Sequence, residues 1–92
     1  MTQEEVIAKV NQVFEESFEI EKGNLQPEKH IFTDLGLDSL DIVDLIVALQ
    51  KAFAVQIRDS AKVREVRTLG DLYRVVLEIK EEQEAAGNTP RP

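Results

Sequence analysis

Ser39 stands between Asp38 and Leu40, in the run Asp34-Leu35-Gly36-Leu37-Asp38-Ser39-Leu40-Asp41, with carboxylates before and after it. Asp38 suits a helix N-cap, because its side-chain oxygen can accept a backbone N–H that the first turn leaves unpaired. Asp41, three residues on, puts a second carboxylate where the helix dipole favours it. Ser39 is then the first helical residue, with its hydroxyl facing solvent. Nucleophilic serines need a general base within hydrogen-bond reach. No histidine, cysteine or lysine occurs within eight residues on either side of Ser39. The expected role is therefore a hydroxyl that another enzyme modifies, in a chain that is not itself an enzyme.

Other candidate chemistry is thin. His30 is the single histidine, without a cysteine or second histidine to complete a metal set, and is expected to be a surface or capping residue. Asp34, Asp38, Asp41 and Asp44 do not follow the spacing of a calcium loop. The glycines form no phosphate-binding loop. Tyr73 is expected to pack its ring and send its hydroxyl to solvent. No metal site, acid–base pair or triad emerges.

The elements that must position Ser39 can be read from periodicity. Thr2 with Glu5 reads as a capping box, and Val6, Val10, Val13 and Phe14 follow at helical spacing, so a first helix is expected over residues 3–17. Residues 19–37 form a long loop with apolar anchors at Ile20, Leu25, Ile31, Phe32 and Leu35, and loops of this length are often functional. A second helix runs from Ser39 to Phe53. Ile42, Leu45, Ile46, Leu49 and Phe53 form its core stripe. Leu40, Val43 and Val47 fall on a different side, where they either touch a neighbouring helix or form an exposed strip ready for a partner. A short third helix is expected over 60–65, capped by Asp59 or Ser60, with Val63 inward and Val66 just beyond. Thr68 and Asp71 open a last helix whose inward residues are Leu69, Leu72, Val76 and Ile79, and which is expected to fray past Ile79. The fold class is all-α: a small bundle of three main helices plus one short helix, with the long loop between the first and second. Residues 1–80 are expected to be the working domain, and 81–92 a frayed helix end and disordered tail.

Composition narrows the partners. The 92 residues are one domain, 42% hydrophobic, with no cysteine for disulfide or thiolate chemistry. A net charge of −7 argues against nucleic acid and for basic protein partners. No apolar run is long enough to span a membrane, and Glu4 and Glu5 stand where a secretory leader would be basic. A cytoplasmic monomer without stable membrane insertion is expected. The charge is uneven: residues 1–49 carry −8, and residues 50–77 carry +3 through Lys51, Arg58, Lys62, Arg64, Arg67 and Arg74 against three acids.

The stretch Phe32-Thr33-Asp34-Leu35-Gly36-Leu37-Asp38-Ser39-Leu40-Asp41-Ile42-Val43-Asp44-Leu45 resembles the modification motif of acyl carrier proteins. The resemblance extends to helix order, loop length and the Thr68-Leu69-Gly70-Asp71-Leu72 helix start, over about residues 3–80. It implies a 4′-phosphopantetheine group on Ser39, whose terminal thiol holds acyl chains as thioesters. It implies that Asp38, Leu40, Asp41, Val43, Asp44 and Val47 face partner enzymes. Those partners would be a phosphopantetheinyl transferase and acyl-loading and acyl-processing enzymes with basic docking patches. Ile46, Leu49, Phe53, Ile57, Val63 and Leu72 would line an adaptable interior for cargo. Members of the family usually continue the acidic face into the third helix, whereas this chain is neutral to basic from Gln50 to Arg67. A carrier in lipid or related biosynthesis, dedicated to one pathway, is the resulting expectation. A carrier of aminoacyl or polyketide units, or a non-carrier helical interaction domain, are the alternatives.

Overall fold

Four helices make up the computed structural model of the chain, which describes residues 2–57 and 60–87: α1 (Gln3–Phe18), α2 (Ser39–Phe53), α3 (Ser60–Arg64) and α4 (Leu69–Gly87). No strand occurs among the described residues. The all-α bundle is thus as expected, with a long loop between α1 and α2. Arg58, Asp59 and residues 88–92 of the expected tail lie outside the described residues.

Local chemistry starts each long helix. Thr2 caps α1: its hydroxyl accepts from the Glu5 N–H at 3.2 Å, and the Glu5 carboxylate accepts from the Thr2 N–H at 3.1 Å. The Thr2 N–H and the Thr2 hydroxyl both donate to Glu5 Oε1 and hold that carboxyl below its ordinary range. Thr68 and Asp71 repeat the arrangement at α4 at 3.2 and 3.3 Å. The backbone N–H groups of Thr68 and Arg67 both donate to Asp71, lowering its pKa.

Packing follows the apolar stripes. Val6, Val10, Val13 and Phe14 of α1 meet Ile42, Leu45, Leu49 and Phe53 of α2 and Leu69, Leu72, Val76 and Ile79 of α4 in one core. Val63 of α3 is completely buried and Val66 nearly so, which seats the short helix between α2 and α4. Ile46, expected in the core stripe, is only half-buried.

Two expectations are corrected. Tyr73 does not send its hydroxyl to solvent: the residue is 5% exposed, and the hydroxyl donates to Asn11 Oδ1, tying α4 to α1. A buried phenol needs such an acceptor. The last helix, expected to fray past Ile79, continues as helix to Gly87. Lys80 Nζ donates to the Phe53 carbonyl at 3.0 Å, and the Gln83 side chain both accepts from the Gln56 N–H and donates to the Gln56 carbonyl. These polar clamps hold the helix past its last apolar anchor, where hydrophobic periodicity carries no signal.

The long loop is stitched rather than merely pinned. The Gly70 N–H donates to the Pro27 carbonyl, Leu69 N–H to Lys29, and Ile31 N–H to Arg67, at 2.8–3.0 Å. An isolated antiparallel bridge joins His30 and Thr68. Gly70 allows this approach, since a Cβ there would lie 3.3 Å from the Pro27 oxygen. His30 is a capping residue, as expected: its Nδ1 accepts from Phe32 N–H and Thr33 N–H at 3.2 and 3.3 Å. Asp34 in turn accepts from the His30 N–H at 2.7 Å. Gly36, at φ +79°, makes the left-handed turn that brings Leu37 into the core one residue before Asp38.

Candidate functional site

Asp38 builds the site. Its Oδ1 accepts from the N–H groups of Leu40 and Asp41, both at 2.9 Å, and Asp41 Oδ2 accepts from the Asp38 N–H at 3.0 Å. This reciprocal box satisfies donors that a helix N-terminus leaves open. It leaves Ser39 exposed at the first helical position, with its hydroxyl in no hydrogen bond to the described residues. Asp41 is half-buried by its capping role. Asp38 and Asp41 are therefore structural groups as well as surface charges, whereas Asp44, one turn further on, is exposed and unpaired.

Leu40, Val43 and Val47 are the exposed strip. Leu40 is 76% exposed, Val43 47% and Val47 44%, and they are the large hydrophobics most open to solvent among the described residues. The alternative of a helix–helix contact is thereby removed. The strip begins beside Ser39 and runs down α2 along the edge that carries Asp44. The opposite side of α2 is held by the core, so the helix presents serine, apolar strip and carboxylate on a fixed mount.

The far end of α2 is secured by cations that periodicity does not reveal. Lys9 Nζ donates to the Ala52 carbonyl at 3.2 Å and lies 5.9 Å from the centre of the Phe53 ring. Lys80 takes the next carbonyl, that of Phe53. Positive charge at a helix C-terminus is favourable, and both contacts satisfy carbonyls that have no partner within the helix. The signal in the sequence was only a lysine at a suitable register on each flanking helix.

The titratable groups flanking Ser39 are engaged in holding the backbone. His30 uses Nδ1 on backbone donors, and Asp38 and Asp41 are engaged with each other's backbone. Among the described residues no cluster of three or more His, Cys, Asp or Glu could hold a metal ion, and no helix is long and apolar enough to cross a membrane. An exposed, unengaged hydroxyl is instead a group on which a phosphodiester can be built, since no bond within the fold must be broken to reach it. The residues at the start of α2 thus fit a phosphate-linked prosthetic group.

The arrangement is that of a carrier, which displays a group for other proteins to act upon. Residues 8–76 match the family model for the phosphopantetheine attachment site. The chain is 37% identical over 76 residues to acyl carrier protein 2 of Ralstonia nicotianae, spanning 83% of this chain and 93% of that protein. It is also 37% identical over 76 residues to the acyl carrier protein of Prochlorococcus marinus, spanning 83% and 94%. The chain belongs to the acyl carrier protein family. Its cofactor is covalent 4′-phosphopantetheine, and its role is that of a carrier and not of a catalyst.

Proposed function

We propose that this chain holds acyl intermediates on a 4′-phosphopantetheine arm attached to Ser39 and presents them to enzymes of lipid or related biosynthesis. The observation that carries this reading is the free, exposed hydroxyl of Ser39 at the capped start of α2, flanked by Leu40 and Val43. The arm, when bound, supplies a terminal thiol that carries the acyl group as a thioester. The chain's own residues do the rest. Asp38 and Asp41 fix the backbone of the first turn from which Ser39 projects. Leu40, Val43 and Val47 give a transferase or acyl-processing enzyme an apolar surface to cover, and Asp38, Asp41 and Asp44 attract its bases. Charge steering raises on-rates, and a small apolar contact keeps each encounter short, as suits a carrier passed between enzymes.

Residues 1–80 form the carrier domain in this reading, working as a monomer in the cytoplasm. Ile46 and Ile57, half-buried, pack against a core that includes Leu49, Phe53, Val63 and Leu72, where a short acyl chain would displace side-chain contacts. Exposed Arg64 and Arg67 favour a carrier dedicated to one pathway, because they interrupt the acidic surface that begins at Asp38.

The test is an intact-mass measurement after incubation with coenzyme A, magnesium ion and a broad-specificity phosphopantetheinyl transferase. One phosphopantetheine mass is expected on the wild type and none on Ser39→Ala, with helical circular dichroism unchanged. A wild-type chain that remains unmodified across several transferases overturns the reading.

A further inference from the structure

Among the described residues, four cations interact within the chain. Lys9 and Lys80 hold carbonyls at the end of α2, Lys62 stands 3.9 Å from Glu82, and the charge of Arg74 is felt by Asp71. Lys22, Lys29 and Lys51 have no such partner, and neither do the two arginines Arg64 and Arg67. Both are exposed, and neither guanidinium has an ion-pair or hydrogen-bond partner among the described residues.

Their position gives this freedom a consequence. The Arg67 carbonyl accepts from the Ile31 N–H at 2.8 Å, and the Ile31 carbonyl accepts from the Leu37 N–H at 3.2 Å. Leu37 immediately precedes Asp38. Two backbone hydrogen bonds therefore link Arg67, three residues past α3, through Ile31 to Leu37 beside the start of α2, and a footprint extending from Ser39 across that link would take in the two arginines. Glu65, between them, cancels only one of the two charges. The acids on that footprint are Asp38, Asp41 and Asp44 on α2, of which Asp44 is the one without an intramolecular partner.

We propose that the acyl-processing partner of this chain presents a split surface, basic opposite Asp44 and acidic opposite Arg64 and Arg67. This rests on the carrier reading and adds the charge pattern of the partner to it. A partner basic throughout would meet Arg64 and Arg67 with like charge, and repulsion acts before contact, slowing encounter and selecting against that partner. An acidic patch on the partner converts the same arginines into anchors, for which guanidinium–carboxylate geometry is well suited.

The experiment uses the full chain and an acyl-elongating synthase whose docking face is basic throughout, together with a variant of that synthase carrying glutamates opposite α3. Intact mass first establishes that Ser39 is fully loaded with the arm in wild type, in Arg64→Glu with Arg67→Glu, and in Arg64→Gln with Arg67→Gln. Transfer rates are then compared at low and high salt. With the basic synthase, the double glutamate variant should outperform wild type by at least about threefold at low salt, the glutamine variant should fall between them, and the gap should close at high salt. With the glutamate-bearing synthase the order should reverse. Equal rates, or a failure of the order to reverse, overturn the split surface while leaving the carrier reading intact. A chain whose Ser39 accepts no arm overturns both, and the mass spectrum distinguishes that outcome before any transfer is measured. Should the glutamate variant lose its helical signal, the glutamine variant decides alone.

Discussion

Asp38 and Asp41 exchange hydrogen bonds across the first turn of α2, each carboxylate accepting from the other's backbone N–H at 2.9 and 3.0 Å. The pair fixes the backbone of the turn that carries Ser39, so its loss should be felt in stability. Asp38→Ala removes the acceptor for two N–H groups and is expected to cost about 1 kcal/mol. Urea melts followed by circular dichroism measure this directly. An unchanged midpoint would show that the cap contributes nothing.

Asp44 should separate steering from folding. It is exposed and its side chain has no hydrogen bond or ion pair among the described residues, so Asp44→Lys should shift stability by no more than about 0.5 kcal/mol. Modification of Ser39 by a basic transferase should nevertheless slow at low ionic strength, and the deficit should shrink as salt rises. Asp41→Lys, by contrast, should lower both the rate and the urea midpoint. Matching salt profiles for wild type and Asp44→Lys would remove Asp44 from the docking surface.

Tyr73 offers an optical readout, being the chain's one tyrosine. Burial pushes its phenol pKa up. The neutral phenol is therefore the form the fold prefers. Its stabilising contribution is fully present below the unfolded value of about 10 and is lost as pH rises through the folded value. Phenolate absorbance in the native protein should titrate above that of the unfolded chain, and the urea midpoint should fall over the same alkaline range. Tyr73→Phe should abolish this alkaline loss and cost about 1 kcal/mol at neutral pH, because Asn11 Oδ1 loses its donor.

Asp71 should act at the other end of the pH scale. Its carboxyl is lowered by the Thr68 and Arg67 backbone donors, so its contribution is present above the unfolded value and is lost as pH falls through the folded one. In Asp71→Asn the acid limb of the stability curve, below about pH 4, should flatten.

The readable and unreadable parts of this molecule divide along a physical line. Thr2 with Glu5, Asp38 with Asp41 and Thr68 with Asp71 announce three helix starts because capping is local, needing residues three apart and nothing else. Apolar period found Val10, Leu45 and Leu72 for the same reason. The end of α4 was missed because Lys80 and Gln83 are held by Phe53 and Gln56, partners 27 residues away. The bond from Tyr73 to Asn11 spans 62 residues and leaves no trace in either neighbourhood. The loop stitches from Pro27 to Gly70 and from Ile31 to Arg67 are likewise long-range, and they use backbone groups that every residue possesses. At Ser39 the local signal was complete. The environment of Leu40, Val43 and Val47 needed the fold, since a helical wheel cannot say which face a neighbour covers.

Gln83 tests whether the helix beyond Ile79 matters. Its side chain is a two-point clamp on the Gln56 backbone, so Gln83→Ala should lower stability by about 1 kcal/mol and raise amide exchange in the connector after α2. An unaltered midpoint together with unaltered exchange would make the extension of α4 a passive one.

Leu40 carries the final prediction, because it is the most exposed of the three apolar residues beside Ser39. A leucine left 76% exposed contributes little to folding, since only area removed from water counts towards hydrophobic stabilisation. Leu40→Ala should therefore melt within about 0.5 kcal/mol of wild type. A transferase or acyl-processing enzyme that covers this surface would lose apolar burial at the centre of its contact, where truncation commonly costs more than about 1 kcal/mol, or roughly a fivefold loss in kcat/KM. The loss should persist at high salt, which distinguishes it from that of Asp44→Lys. Full activity of Leu40→Ala with every partner tested would mean that the strip is left uncovered in the complex, and that docking at Ser39 depends on charge alone.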